Sequence, residues 1–347
     1  MLRLLQLAFF SQCVTATIPT VHDIQNDVVY HGTTTDDLQH FRNVKYAHDT
    51  SGDRRFAPPV PYTPPSHSEV DATMPGPACP QLKDAMPPFF SQSDNISEDC
   101  LSLRITRPVG TNPASKLPVV VWLHGGGVVK GSAYDPHFEP NKLVSLSQSL
   151  KTPIIYVALN YRITAFGFAR LPILKRQKSL NVGMRDQEAG FQWVKNNIEM
   201  FGGDSTKVTA FGLSAGGTFT SLHLMAYGGE KDVPFTQAWT MSGPPGTALN
   251  VSSEVATTHT LAVAEKLECT QRDEHEQLKC LQRVPMERLL SAAVEYSVAN
   301  HPPAGLFTFI PTVDGDIVPT RPSVLYRKGN FVKGKALHKA AIFRRHC

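Results

Sequence analysis

A serine framed by glycines is the first residue in this chain whose surroundings suggest chemistry. Gly212-Leu-Ser-Ala-Gly216 follows a β-favouring run that starts at Val208, and an apolar, helix-compatible segment comes after it. A serine at the tip of a strand-to-helix turn occupies a sparsely allowed backbone conformation. Glycine two residues to either side lets neighbouring backbone come close. Such a turn exposes the Ser214 hydroxyl at the edge of a sheet. It also leaves the Ala215 N–H at a helix N-terminus, where it can stabilise a developing oxyanion. The five-residue pattern alone recurs by chance in Gly-Ser-rich turns. The strand before it and the helix after it favour a nucleophile over an ordinary turn.

Acyl transfer through a serine needs further parts: oxyanion donors, and a base held by an acid. His124-Gly-Gly-Gly127 offers a donor loop directly after the apolar run Lys116 to His124. A glycine run there could also be a flexible turn or cradle a phosphate. A phosphate loop, however, needs Gly-Lys-Ser/Thr, and Lys130-Gly131-Ser132 lacks that order. Two histidines come into question as the base. His223 falls on the helix expected after Ser214 and His301 in a Pro-rich loop, and both read as packing or surface residues. None of the 13 histidines shows H-E-x-x-H spacing and no CxxC occurs, so neither a metal site nor a cofactor is expected.

The elements that would position these residues alternate between strand and helix. Asn26 to Tyr46 reads as short β-like runs, and Ser51 to Pro88, rich in Pro and polar residues, as ordered loop or lid. Lys116 to His124 and Pro153 to Asn160 are apolar enough for strands buried on both faces. Val182 to Phe201 has helical periodicity with Phe191, Val194 and Ile198 on one face. The elbow helix runs to about Gly228, Gln237 to Ser242 is a short strand, and Ser252 to Val298 is helical with breaks near Glu268–Arg272 and at Pro285. This alternation predicts one domain with a doubly wound, mostly parallel central sheet, helices on both faces, and the ligand site at the strands' C-terminal ends.

Composition narrows the class. With 347 residues, 41% hydrophobic and 18% charged, the chain can build one large core, and a net charge of +4 spread along it does not suggest nucleic acid. Residues 1–16 read as a signal peptide: Arg3, an apolar Leu4 to Phe10, then small residues at Val14-Thr-Ala16. That apolar run is too short for a transmembrane segment. The sequons at Asn95 and Asn250 suit glycosylation of a secreted protein. With Cys13 in the signal, five cysteines remain. Four can form two bridges, and Cys347 is left over.

With these motifs in hand, the chain resembles the type-B carboxylesterase/lipase family, which includes the cholinesterases. Ser97-Glu-Asp-Cys-Leu-Ser-Leu-Arg-Ile105 and Phe211-Gly-Leu-Ser-Ala-Gly-Gly217 match its two signatures. Arg54-Arg-Phe-Ala-Pro-Pro59, Gly76-Pro-Ala-Cys-Pro-Gln81, Asn160-Tyr-Arg162, Asp186-Gln187, Phe201-Gly-Gly-Asp204 and Val313-Asp-Gly-Asp316 follow in family order, from about Val28 to Lys333.

The resemblance implies an α/β-hydrolase fold, an acyl-enzyme on Ser214, and Gly126, Gly127 and Ala215 as oxyanion donors. It also implies disulfides Cys79–Cys100 and Cys269–Cys280 and ion pairs Arg55–Glu98 and Arg162–Asp186. Asp314 and Asp316 fall in a structural loop motif, not at the family's acid. Leu213 stands where the family usually has Glu, so an apolar floor suits neutral esters better than a quaternary ammonium group. Val128 replaces a usual aromatic and should widen the acyl side. The family's acid and His lie beyond Lys333-Gly334, whereas residues 335–347 form a basic tail unlike it. The triad's acid and base and the sheet's last strands are therefore expected to be missing from residues 17–347. The expected function is a secreted serine carboxylic-ester hydrolase for a small-molecule or lipid ester, impaired as written. The alternative is a catalytically silent cholinesterase-like binding protein or a non-functional fragment.

Overall fold

The computed structural model describes residues 18–243 and 253–332. The signal at 1–16, the sequon at Asn250, Cys347 and the tail at 335–347 lie outside the described residues.

The chain begins with β1 (Thr20–Asp23), β2 (Val28–His31), β3 (Thr33–Thr35), β4 (Leu38–Lys45) and β5 (Ser68–Asp71). Strands β1, β2 and β5 form a small sheet of their own. Next come β6 (Ser102–Pro108), β7 (Leu117–Leu123), α1 (Asn141–Ser149), β8 (Ile155–Leu159), α2 (Thr164–Phe168), α3 (Pro172–Arg176) and α4 (Val182–Asn197). Then follow β9 (Gly203–Leu213), α5 (Ala215–Met225), β10 (Gln237–Met241), α6 (Ser253–Lys266), α7 (Glu274–Arg283), α8 (Met286–Asn300) and α9 (Pro322–Lys328). Among the described residues the main sheet has the order β10-β9-β7-β8-β6-β4-β3.

Side chains alternate across this sheet, and each face finds a cover. Val119, Val121, Leu123, Ile155, Val157, Leu159, Val208 and Ala210 join Phe191 and Val194 of α4 and Phe219 of α5 in the larger core. Trp122, Tyr156, Ala158 and Phe211 join Val144 of α1 on the other side. Continuous apolar runs are what a strand covered on both faces requires. Each large side chain fully buried here contributes on the order of 1.5–3 kcal/mol.

The structure departs from the sequence-based reading in three places. The sheet is mixed: β10, β9, β7 and β8 run parallel, while β6, β4 and β3 continue it antiparallel. The loop expected over 51–88 contains β5, which pairs in parallel with β2. Strand β6 alternates Leu103 and Ile105 with polar residues, as a strand covered on one face would, yet every one of its residues is buried. It is held by polar partners: Arg104 pairs with Glu139, the Arg107 Nη1 donates to Phe201 O at 2.9 Å, and Thr106 Oγ1 bonds His40 Nδ1 at 3.1 Å.

Crosslinks tie the loops to this frame. The disulfides Cys79–Cys100 and Cys269–Cys280 are closed, with Cα separations of 5.0 and 5.6 Å. Arg55 forms a fork with Glu98, at 2.7 Å from Nε and 2.6 Å from Nη2, and donates from Nη1 to Leu281 O and Val284 O at the end of α7. Arg162 forks onto Asp186 at 2.8 and 2.7 Å, and its backbone N–H donates to the same carboxylate. All four side chains are buried.

Candidate active site

Parallel pairing of β7 with β9 sets Leu123 beside Gly212, so the loop leaving β7 and the turn leaving β9 emerge side by side. That is the carboxyl edge of the sheet's parallel strands, where α/β folds bind ligands. Ser214 sits between β9 and α5 at φ 55°, ψ −122°, a conformation that costs a non-glycine residue of order 1–3 kcal/mol. Its N–H donates to Met241 O at 2.8 Å, and its carbonyl accepts the Thr218 N–H at 2.9 Å. Both ends of the strained residue are thereby fixed. Gly216 is needed for close approach: a Cβ there would lie 2.0 Å from Leu123 O.

Gly126 turns the β7 loop at φ 108°, with Lys130 O only 2.0 Å from where its Cβ would be. Its carbonyl accepts the N–H groups of Val129 and Lys130, while Gly127 O accepts the Phe307 N–H at 2.9 Å. Among the described residues, none of the N–H groups of Gly126, Gly127 and Ala215 is bonded to a protein oxygen. Ala215 is the first residue of α5, so its N–H has no helical acceptor. The next residue after the glycines, Val128, is β-branched and sits at φ 64°, a second strained position. It is buried in the core, and its carbonyl accepts the Thr164 N–H at 2.9 Å. Leu213 packs with Met241 against the cluster of Trp122 and Phe211.

Three supports of this loop were not recognisable as supports in the sequence, although His124 and Lys130 flank the glycines there. His124 is buried, stacks on Tyr161 at 4.1 Å and donates from Nδ1 to Gly125 O at 3.0 Å; burial depresses its pKa to about 4, so it is neutral. Lys130 is fully buried, and its Nζ donates to Leu82 O at 2.8 Å and Lys83 O at 3.2 Å, both carbonyls of the segment that passes over the loop. Desolvation lowers its pKa. Leu306 and Phe307 close on Gly127 from the loop before α9.

The other candidate residues lie elsewhere in the fold. His223 is buried in α5 with Nε2 2.8 Å from Gln187 Oε1, and burial lowers its pKa to about 4. His301 is exposed and bonds Thr308 Oγ1 at 2.7 Å. Asp314 accepts the N–H groups of Asp316 and Val318 and the Asn181 amide, and Asp316 pairs with Arg185 at 2.8 Å. Among the described residues no side chain is hydrogen-bonded to Ser214 Oγ.

Residues 23–338 match the model of the carboxylesterase family, and the chain belongs to that family. It is 41% identical over 317 residues to an inactive carboxylesterase-like protein of Byssochlamys spectabilis, an alignment covering 90% of this chain and 54% of that one. A secreted lipase of Arthroderma benhamiae is 36% identical over 334 residues, covering 94% and 58%. Among solved structures, a thermophilic PNB esterase superposes with a TM-score of 0.76 at 31% identity, covering 90% of this chain and 61% of that one. The fold is that of an α/β-hydrolase. The chain spans a little over half the length of the curated relatives described here.

Proposed function

We propose that the protein is a secreted serine carboxylic-ester hydrolase that forms an acyl-enzyme on Ser214. The observation that carries this is the juxtaposition of a strained serine with three N–H groups, unbonded among the described residues, on two adjoining strand ends. In the proposed step Ser214 Oγ attacks the ester carbonyl and loses its proton to a base. The carbonyl oxygen becomes an oxyanion held by the N–H groups of Gly126, Gly127 and Ala215. The alcohol then leaves, and water releases the acid. Each donor aimed at that oxygen is worth roughly 2.7–4 kcal/mol of barrier, because the charge exists only in the tetrahedral state. The uncharged Leu213 beside the nucleophile favours neutral esters, of small molecules or lipids.

A serine proton needs an acceptor of near-neutral pKa, and no described histidine bonds Ser214. We therefore expect slow turnover from the 347-residue chain, on the order of 10³–10⁴ over water, the level at which serine triads operate without their base. The same observation favours a second reading, a catalytically silent binding protein, and the inactive Byssochlamys spectabilis relative supports that reading too. Secretion is supported by the signal-like 1–16, the two disulfides, the exposed sequon at Asn95 and the secreted Arthroderma benhamiae relative. Among the described residues no helix is long and apolar enough to cross a membrane.

The test compares the 347-residue chain with Ser214→Ala on a p-nitrophenyl ester, and follows labelling by a p-nitrophenyl phosphonate with mass spectrometry. Slow hydrolysis and labelling at Ser214, both lost in the variant, support the esterase. No labelling, with hydrolysis equal to the variant's, supports the silent protein. Fast turnover lost in the variant would mean that a histidine of this chain serves as the base.

A further inference from the structure

Away from Ser214, a cleft of about 580 Å³ opens where α4 meets the small β1–β2–β5 sheet. Its floor is one stripe of α4. Gln192, Trp193, Asn196 and Asn197 recur at the spacing that aligns side chains on a single helical face. Trp193 is buried at the base of that stripe, Asn197 is half-buried, and the Gln192 and Asn196 amides stand at the open side, within reach of solvent and of a ligand. Gln192 Nε2 donates to Asn196 Oδ1 at 2.8 Å, which leaves the Gln192 carbonyl and the Asn196 N–H groups for a ligand. Asn197 Nδ2 donates to Trp193 O at 2.8 Å, leaving its own carbonyl oxygen.

The opposite wall combines rings with one carboxylate. Tyr62 is half-buried and turns toward the cleft with Pro61 and Pro64. Tyr30 lies deeper, and burial beside Asp23 raises its pKa to about 12, so its hydroxyl remains a donor. Asp23 is held in place by the Gln25 and Asn26 N–H groups and the Asn26 amide.

We propose that this cleft binds a neutral saccharide. Among the described residues the lining contains no Lys or Arg, so it offers no counter-charge to a phosphate or carboxylate. Its aliphatic lining is limited to Ala189, Pro61 and Pro64, too little apolar surface to hold an acyl chain, while the half-buried Asn197 carbonyl calls for a donor. A sugar matches both sets of groups: its hydroxyls donate and accept in turn, as carboxamides do, and its C–H faces pack on aromatic rings. The volume falls within the range of small-ligand sites and suits a disaccharide. The site is independent of the ester chemistry.

The experiment titrates the full chain with maltose, cellobiose and diacetylchitobiose by calorimetry, and with a high-mannose glycopeptide. The expected result is millimolar or tighter binding of at least one probe. Tyr62→Ala and Asn196→Ala should each weaken it about tenfold. Ser214→Ala should leave it unchanged, and all variants should keep the parent's circular dichroism and melting. Tighter binding of the glycopeptide identifies a protein-linked glycan as the source; equal or stronger binding of a free disaccharide identifies a soluble sugar. If no probe binds at tens of millimolar, or if binding survives both cleft substitutions, the proposal is overturned.

Discussion

Gly125 lies against Ser214: a Cβ on the glycine would sit 3.1 Å from the serine Cβ and 2.6 Å from Leu213 O. The proposed oxyanion loop and the proposed nucleophile thus share one contact surface made of backbone. Nothing larger than hydrogen fits between them, so the loop's position relative to the serine is set by van der Waals contact. On the far side of the turn Gly216 bears the same relation to Leu123 O and His124 O, at 2.0 and 2.7 Å.

Gly216→Ala should therefore push α5 away from β7. Overpacking of this kind costs about 1–3 kcal/mol. The expected outcome is a lower urea midpoint with an unchanged slope, together with loss of any phosphonate labelling of Ser214. A variant as stable as the parent would mean that the turn has more room than the structure gives it.

The Arg55–Glu98 fork links the segment before the Cys79–Cys100 loop to the end of α7, because Arg55 also donates to Leu281 O and Val284 O. Glu98→Ala leaves the guanidinium buried without its carboxylate and should cost about 3–5 kcal/mol. A double change to apolar residues of similar volume should cost less, since it removes both desolvated charges. Denaturant titration of the two variants checks this, and equal losses would show that the unpaired buried charge is not the source of the cost.

The polar partners of β6 also explain what was and was not legible in the sequence. The turn at Ser214 was readable because strand, glycines and helix adjoin in the chain, and β7 and β8 because continuous apolar residues have few alternative uses. Strand β6 was not. Arg104, Thr106 and Arg107 are buried by groups from Glu139, His40 and the Phe201 carbonyl, so its burial depends on residues distant in sequence. The β-like runs read over Asn26 to Tyr46 were for that reason not joined to the main sheet, which β6 does by pairing with both β4 and β8. Lys130 is a second case: a lysine after a glycine loop reads as solvated, and only the carbonyls of Leu82 and Lys83 make its burial tolerable.

His124 and His223 are held neutral by burial, with pKa values lowered from 6.5 to about 4. In the unfolded chain both protonate near their ordinary value, so the unfolded state binds more protons between pH 6.5 and about 4. Stability is then fully present above pH 6.5 and declines as pH falls through this window. Between pH 6.5 and 5 the loss should be on the order of 2 kcal/mol per histidine. Urea midpoints measured at pH 7 and 5 should differ accordingly, and His223→Gln should reduce the difference. A midpoint independent of pH over that range would contradict the neutral, buried assignment.

The disulfides close short loops, with sequence separations of 21 and 11 residues. In the chain-entropy account each restricts the unfolded state by about 3 kcal/mol. Replacing both members of Cys79–Cys100 by Ser should lower stability by about that amount, and more if the loop carrying Glu98 loosens with it. Complete reduction followed by thermal melting opens both bridges and gives their joint contribution. An unchanged melting temperature after complete reduction would show that the surrounding contacts already hold the loop.

Lys130 makes the sharpest test of how the proposed oxyanion loop is held. Its Nζ bonds the Leu82 and Lys83 carbonyls, while the Leu82 N–H donates to Val129 O at 3.2 Å, so two adjacent residues clamp the same stretch from opposite directions. Phe90 reaches the loop as well, its ring tip lying 3.2 Å from the position of a Gly126 Cβ. The ammonium group is desolvated and meets only neutral acceptors at hydrogen-bonding distance, which is a costly way to fasten a loop. Lys130→Met keeps most of the stem's packing, removes the buried charge and leaves two carbonyls unpaired. Global stability should change little, because those two costs oppose one another. Local order should fall: amide exchange at Leu82 and Ser93 should speed up, and so should exchange at Val129 and residue 130 itself. If the Gly126 and Gly127 N–H groups act on the ester carbonyl, phosphonate labelling of Ser214 should slow in the same variant. Exchange unchanged across residues 82–93 would show that the clamp is held by Val129 and Phe90 alone.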